Sequence, residues 1–366
     1  MSSYKQTTVR YIDLPEDEAY LQQPFPWVFD DFSLALRLGV RCKTLWYCVR
    51  RKEYMYKRFT IPKRSGGRRP IHAPEPVIKH IQKKIHEGLL KSFPLLDCVG
   101  AYVDGKSCVD SALLHVGSGV CIHMDLKNFF PSHSRARVRQ FLKTHYNYNH
   151  PTASLLADLC TVQEGTRHYT PQGSPASPML CNLMAQETLD RALLESLGPL
   201  GWVYTRYSDD IELSHKDDLP SKVVNNTIRT IVQLAKDNGY RVNSKKTKVQ
   251  RRWRQQKMLG IVINEKPNIP RNVYRRYRAI LHNCLHNGDS VAEGLLINAI
   301  RFQWDPPESF LSHLEGKISY FASISDVRGA KLKKMLGAVK LALAAEEQAT
   351  TELAKVAEAD DATPNP

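Results

Sequence analysis

Apolar residues recur along this chain in two rhythms, one near 3.6 residues and one of two, and the switches between them mark its elements. From Trp27 to about Arg51 the rhythm is helical. Phe29, Phe32 and Leu36 fall at i, i+3 and i+7 on one face, and Leu45, Trp46 and Val49 predict a second short helix. Tyr56 to Pro74 reads as a strand, a Ser65-Gly66-Gly67 turn and a returning strand stopped by Pro74. Residues 76–93 predict an amphipathic helix, with Ile78, Ile81, Ile85, Leu89 and Leu90 on one side and Lys79, Lys83 and Lys84 on the other. Residues 100–105 form a loop and 107–115 a short helix. Val120, Ile122 and Met124 alternate, so a buried strand ends at Asp125.

Residues 134–163 read as helix with a break near 148–152. Thr170 to Pro178 is a rigid Pro-Gly loop. Ser177 and Pro178 suit the N-cap and N1 of a helix that runs to about Leu197 and stops at Gly198. Trp202, Val203 and Tyr204 lead into Asp209-Asp210, and Ile211 and Leu213 lead out, which predicts a hairpin with both acids at its tip. Residues 219–238 are helical and end at Gly239. From Val120 to Val249 the order is strand, helix, hairpin, helix, strand, an α+β arrangement with a split β-α-β sheet and helices on one face. Met258 to Asn264 reads as an apolar strand. Helices follow from Pro270 and over 290–303 and 307–345, with the Ala- and Glu-rich 340–358 segment leading into a disordered acidic end. No internal repeat is visible.

Composition adds a partner. The 366 residues suffice for two or three cored domains, and their net charge of +15 points to a polyanion, nucleic acid above all. Six acids and one lysine lie in 346–366, so the body is more basic still. The eight cysteines form no C-x-x-C pair and read as reduced core residues, not zinc ligands. No secretory h-region and no apolar run of membrane-spanning length is present, so the expectation is a cytoplasmic protein without a membrane partner.

Candidate chemistry starts from the hairpin. Adjacent carboxylates resist joint ionisation, and hard divalent ions with oxygen ligands, Mg²⁺ first, relieve them. An isolated Asp-Asp pair is more often an exposed turn. Here Asp125, at the end of an apolar strand, needs either a partner, a metal or a capping role. Lys63, Arg64, Arg68 and Arg69 crowd the earlier hairpin turn, as a solvated edge or as a grip on a triphosphate or nucleic-acid backbone. Three acids can hold two Mg²⁺ ions, about 3.5–4 Å apart in nucleotidyl-transfer sites. That chemistry also needs cations for a triphosphate, an aromatic beside the sugar and a basic surface for template and primer, and each has a candidate here.

Asp125 with Phe129-Phe130, Pro171-Gln-Gly-Ser-Pro-Ala-Ser-Pro178, Tyr207-Ser-Asp-Asp210 and Asn243-Ser-Lys-Lys-Thr247 occur in the order of the reverse transcriptase palm motifs. Over roughly residues 30–330 the chain resembles bacterial retron reverse transcriptases. Ser111-Ala-Leu-Leu-His115 stands where that family has Asn-Ala-x-x-His, Met258-Leu-Gly260 where it has Val-Thr-Gly, and Tyr-Ser-Asp-Asp where Tyr-Ala-Asp-Asp is usual. The resemblance implies a right-hand polymerase: an N-terminal extension (1–26), fingers (27–118), a palm with a ferredoxin-like sheet (119–264, with a finger insertion around 133–170), a helical thumb (265–345) and an acidic tail (346–366).

It also implies roles. Asp125, Asp209 and Asp210 are the catalytic acids and bind two Mg²⁺ ions, assisted by the Leu126 carbonyl. Phe130 lies under the sugar and excludes a 2′-hydroxyl, with Phe129 beside it at the nucleotide or in the core. Gln172 lines the nucleotide pocket. Lys63 and Arg69, or Arg68, grip the triphosphate, and Lys246 protonates pyrophosphate or holds its loop. His115 and the thumb residues Arg271, Arg275, Arg276 and Arg278 face RNA. The implied partners are deoxynucleotides, the RNA–DNA product, a separately encoded effector protein and a cognate structured RNA that is both template and primer. DNA synthesis then starts from an RNA 2′-hydroxyl, in antiphage defence. The competing readings are another bacterial defence or diversity-generating reverse transcriptase, and an RNA-binding scaffold with a vestigial site.

Overall fold

The structure is a computed structural model that describes residue 28, residues 30–63 and residues 66–361. The expected N-terminal extension, Trp27, Phe29, Arg64 and the last five residues of the acidic tail lie outside the described residues. The chain divides into two compact units. One takes the described residues up to Ser107 together with Cys121–Val249, and the other takes Cys108–Val120 together with the described residues from Gln250.

The first unit opens with α1 (Asp31–Arg37) and α2 (Cys42–Arg50). Asp30 caps α1 reciprocally: its carboxylate accepts from the Ser33 N–H at 2.7 Å, and Ser33 Oγ accepts from the Asp30 N–H. The apolar face differs from the expected one. Phe32 is 67% exposed, while Leu34, Ala35 and Leu38, which also share one helix face at i, i+1 and i+4, are buried. Strands β1 (Tyr56–Pro62) and β2 (Arg68–Pro74) form the basic hairpin. Helix α3 (Pro76–Gly88) buries Ile78, Ile81 and Ile85 as its spacing predicts.

In the second unit, α4 (Cys108–Leu113) comes next in the chain. Back in the first unit are β3 (Val120–Asp125), α5 (Arg135–Tyr146) and α6 (His150–Leu159), the last two capped by Ser134 and Asn149. The stretch expected to stay helical to 163 instead turns into a small hairpin, β4 (Val162–Glu164) and β5 (Arg167–Tyr169). Helix α7 (Ser177–Ala185) passes through a π turn, Gln186–Asp190, into α8 (Arg191–Leu197). Ser177 is the first helical residue and not the cap: Ala176 holds that place and no side chain caps the helix. Strands β6 (Val203–Tyr207) and β7 (Asp210–His215), α9 (Ser221–Asp237) and β8 (Lys248–Arg251) complete the sheet.

Its strand order is β6-β7-β3-β8. Taken as strands one to four in chain order β3, β6, β7, β8, this is 2-3-1-4, the ferredoxin-like split β-α-β arrangement expected. Strands β3 and β7 are therefore central neighbours, although Asp125, which ends the one, and Asp210, which starts the other, lie 85 positions apart in sequence. The main core gathers Leu34, Leu45, Ile81, Ile85, Leu156 and Leu180, all buried.

The other unit is mostly helical. Residues 257–262 make two short paired strands, β9 (Lys257–Met258) and β10 (Ile261–Val262), where a single strand was expected. Leu259 at φ 49 and Gly260 at φ 89 turn the chain between them. Helices α10 (Arg271–His286), α11 (Val291–Arg301), α12 (Phe310–Ile324) and α13 (Asp326–Asp361) follow. The last helix runs on through the Ala- and Glu-rich 340–358 segment as far as Asp361. Glu346 explains its inner part: its carboxylate accepts from the Val291 and Ala292 N–H groups at 2.6 and 3.2 Å and caps the start of α11. No described helix is long and apolar enough to cross a membrane.

Candidate active site

Alternation along the two central strands decides which side chains meet. On β3, Cys121, His123 and Asp125 share one face, and on β7 Asp210, Glu212 and Ser214 share it with them, as the contacts of His123 with Asp210 and Glu212 show. The opposite face carries Ile122, Met124, Ile211 and Leu213, all fully buried. Asp209 sits in the two-residue turn before β7, after Ser208 at φ 60. The Leu126 N–H donates to the Asp209 carbonyl at 2.8 Å, which ties the turn to the end of β3. The Asn243 N–H donates to the Asp125 carbonyl at 2.7 Å, and the Lys127 N–H to the Arg241 carbonyl at 2.7 Å. The backbone thus draws Asp125, Asp209 and the Asn243–Lys246 turn together.

The electrostatics follow from that crowding. Burial pushes the Asp209 carboxyl up, and the charge of Asp125 adds to it. Asp210 is pushed up to about 6 by burial and then by Asp209, Glu212 and Asp125, against the pull of His123. Lys246 Nζ donates to Asp125 Oδ2 at 2.5 Å and Asn243 Nδ2 to Oδ1 at 3.1 Å. That bond to Asp125 raises the Lys246 ammonium above its ordinary value. His123 loses from burial but gains more from the hydrogen bond at 2.8 Å and the charge of Glu212, so its imidazole is raised.

Among the described residues no three acidic, histidine or cysteine side chains stand close enough together to hold a metal ion as they are. The donor chemistry nevertheless fits a hard cation. All three acids offer oxygen, two of them are held above their ordinary range by burial and by neighbouring carboxylate charge, and the cation Lys246 already stands against the third.

Of the other predicted residues, Phe130 is half-buried. Its ring lies 5.7 Å from that of Phe129, and its carbonyl accepts from Thr170 Oγ1 at 2.5 Å. Phe129 is a core residue at 3% exposure, packed on His133 and Tyr240, so it is no nucleotide contact. The Gln172 carbonyl accepts from the His72 N–H at 2.8 Å, which joins the Pro-Gly loop to β2. Only glycine fits the next position: Gly173 has φ +121, and a Cβ there would meet the His72 carbonyl oxygen at 2.6 Å. Lys63, Arg68 and Arg69 are exposed on the β1–β2 hairpin, where Arg68 Nε donates to Thr60 Oγ1 at 2.5 Å. In the other unit, Arg271, Arg275, Arg276 and Arg278 are exposed on α10. His115 is not available to RNA: it is 1% exposed, and burial depresses its imidazole to about 4.

Sequence reading missed the buried group behind the turn. Arg206 and Asp190 are both fully buried, paired through Nη2 and Oδ2 at 2.7 Å and Nε and Oδ1 at 2.8 Å. Tyr204 donates its hydroxyl to the same carboxylate at 2.6 Å, and Arg206 Nη1 donates to Asn182 Oδ1 and to the Ser208 carbonyl at 3.1 Å. One guanidinium therefore binds the π turn to the residue just before Asp209. The signal was present as Arg206 inside an apolar strand, since a buried cation must be paired.

Comparison with known proteins identifies the family. Residues 61–263 match the family model described as reverse transcriptase (RNA-dependent DNA polymerase). The retron Mx65 reverse transcriptase of Myxococcus xanthus is 32% identical over 341 residues, 88% of this chain and 75% of that one. The retron Mx162 reverse transcriptase of the same organism is 31% identical, over 69% of this chain and 58% of its own length, so the chain spans less than two thirds of that relative. Among solved structures, telomerase from Candida albicans with a telomeric RNA fragment aligns at TM-score 0.41 and 12% identity, over 78% of this chain and 59% of that one.

Proposed function

Because the chain belongs to the reverse transcriptases of the bacterial retron type, we propose that it copies a cognate structured RNA into DNA, priming from an RNA 2′-hydroxyl. It is an RNA-directed DNA polymerase of a family that depends on divalent metal. The observation that carries the finer reading is the central pairing of β3 with β7, which delivers Asp125 to the Asp209-Asp210 turn. Two Mg²⁺ ions are the proposed cofactors, held by the carboxylates of Asp125, Asp209 and Asp210 with the Leu126 carbonyl. When bound they supply Lewis acidity to the attacking hydroxyl and the leaving pyrophosphate.

The chain's own groups set the rest. Asn243 and Lys246 orient Asp125 and keep its charge compensated before substrate arrives. Lys246, freed from Asp125, is placed to give a proton to pyrophosphate. Phe130 stands under the deoxyribose, its ring fixed by Phe129 behind it, and excludes a 2′-hydroxyl. Gln172 borders the base and sugar, and Lys63 and Arg69 take the triphosphate, with Arg68 held along the hairpin. The exposed arginines of α10 follow the phosphates of the RNA-containing duplex. In domain terms the β1–β2 hairpin belongs to the fingers, the four-stranded sheet to the palm and the helices from Arg271 to the thumb. The biological role we infer is antiphage defence with a separate effector protein, in the cytoplasm.

Sequencing the nucleic acid that co-purifies from the native host tests this. The expected product is a small DNA joined 2′–5′ to RNA. DNA that begins at a free 3′ primer, or on protein, would assign the chain to another priming chemistry.

A further inference from the structure

Between Asp237 and Glu265 the chain carries eight lysines and arginines and no acid. Part of that run is the turn Arg251-Arg252-Trp253-Arg254, which no role above uses. Its backbone is pinned. The Arg254 N–H donates to the Arg251 carbonyl at 3.0 Å and the Arg252 N–H to the Gly119 carbonyl at 2.9 Å. Asn264 Nδ2 donates to the carbonyls of Arg252 and Arg254 at 3.2 and 2.8 Å, while its Oδ1 accepts from the Gln256 N–H at 2.9 Å. Gln250 clamps the next residue from both sides, accepting from the Lys257 N–H at 2.7 Å and donating to its carbonyl at 3.0 Å.

This fixed turn presents a bare indole. Trp253 is 70% exposed, Arg252 and Arg254 beside it are exposed, and the Arg251 guanidinium lies 5.9 Å from its ring centroid. Covering an exposed indole on binding gains free energy from the apolar area it removes from water. The surroundings select the cover. A partner protein's apolar pocket would have to strip water from several guanidinium groups, whereas an unpaired nucleobase offers a flat π face with its own phosphates on either side. Bases in a continuous duplex are stacked on one another and cannot offer that face.

We propose that Trp253 is a stacking platform for an unpaired base of RNA, with Arg252 and Arg254 on the flanking phosphates. This site rests on the reading of the chain as an enzyme that engages RNA, but it uses no step of polymerisation. Because Trp253 is exposed and the turn is held by Asn264 and Gln250, Trp253→Ala leaves the fold intact, and its unchanged melting temperature is the control.

The test is equilibrium binding by the full chain of two probes, a short unstructured RNA and a blunt RNA duplex of equal length. Trp253→Ala is expected to weaken the unstructured RNA roughly tenfold and leave the duplex unchanged, while Trp253→Phe stays within about threefold of wild type. Arg252→Gln with Arg254→Gln is expected to weaken binding and flatten its salt dependence by about one unit of slope per arginine. Equal affinity of wild type and Trp253→Ala for the unstructured RNA overturns the platform, as does an equal loss on both probes. If wild type binds neither RNA, the RNA reading itself fails and takes this site with it.

Discussion

Phe129 and Phe130 are adjacent in sequence and opposite in surroundings. Phe129 is sealed against His133, Tyr240 and the Arg206 guanidinium, whereas Phe130 keeps part of its ring open. Phe130→Ala is expected to relax discrimination against ribonucleotides by roughly tenfold or more while leaving stability close to wild type. Single-nucleotide incorporation with matched deoxy- and ribonucleotides measures it, and unchanged selectivity removes Phe130 from the sugar site. Asp210 gives a second prediction. With no cation bound, its folded-state carboxyl titrates at about 6, above the ordinary 3.8. The folded protein therefore holds that proton more tightly than the unfolded chain does. This contribution to stability is full below the unfolded value and is lost as pH rises through the folded one. A cation that takes the proton's place reverses the loss, so Mg²⁺ is expected to raise the melting temperature more at about pH 7.5 than at about pH 5. An equal rise at both would show that Asp210 is not where the ion binds.

At the scale of elements, the Arg206–Asp190 pair joins a helix to the Asp209-Asp210 hairpin. Arg206→Met leaves the Asp190 carboxylate buried without its cation, and about 3–5 kcal/mol of stability is expected to go, read by chemical denaturation. A loss within experimental error would mean that the pair does not hold the turn. What the sequence made legible here follows from range. The β-α-β-β-α-β order, the buried β3 and the Asp209-Asp210 hairpin were readable because alternation and turn chemistry act over a few residues. The π turn at Gln186–Asp190 was not, since it exists to bring Asp190 to a guanidinium sixteen residues on. The β4–β5 hairpin has three-residue strands, too short for any period to register. The β9–β10 turn was hidden because Met258 to Ile263 is apolar throughout and a left-handed Leu259 leaves no mark in composition. His115 was misplaced because a family motif carries a residue's position and not its exposure.

For the molecule as a whole, a net charge of +15 suits a member of the retron-type reverse transcriptases, an RNA-directed DNA polymerase whose template and product are both polyanions. We propose that Asp125 on one strand and Asp209-Asp210 on its neighbour act there as a single centre for DNA synthesis on RNA. The direct measurement is extension on an RNA template by Asp209→Asn, with RNA affinity determined on the same preparation. Synthesis is expected to fall by about a thousandfold or more while RNA affinity stays within about threefold of wild type. Synthesis at the wild-type rate in that variant would contradict it.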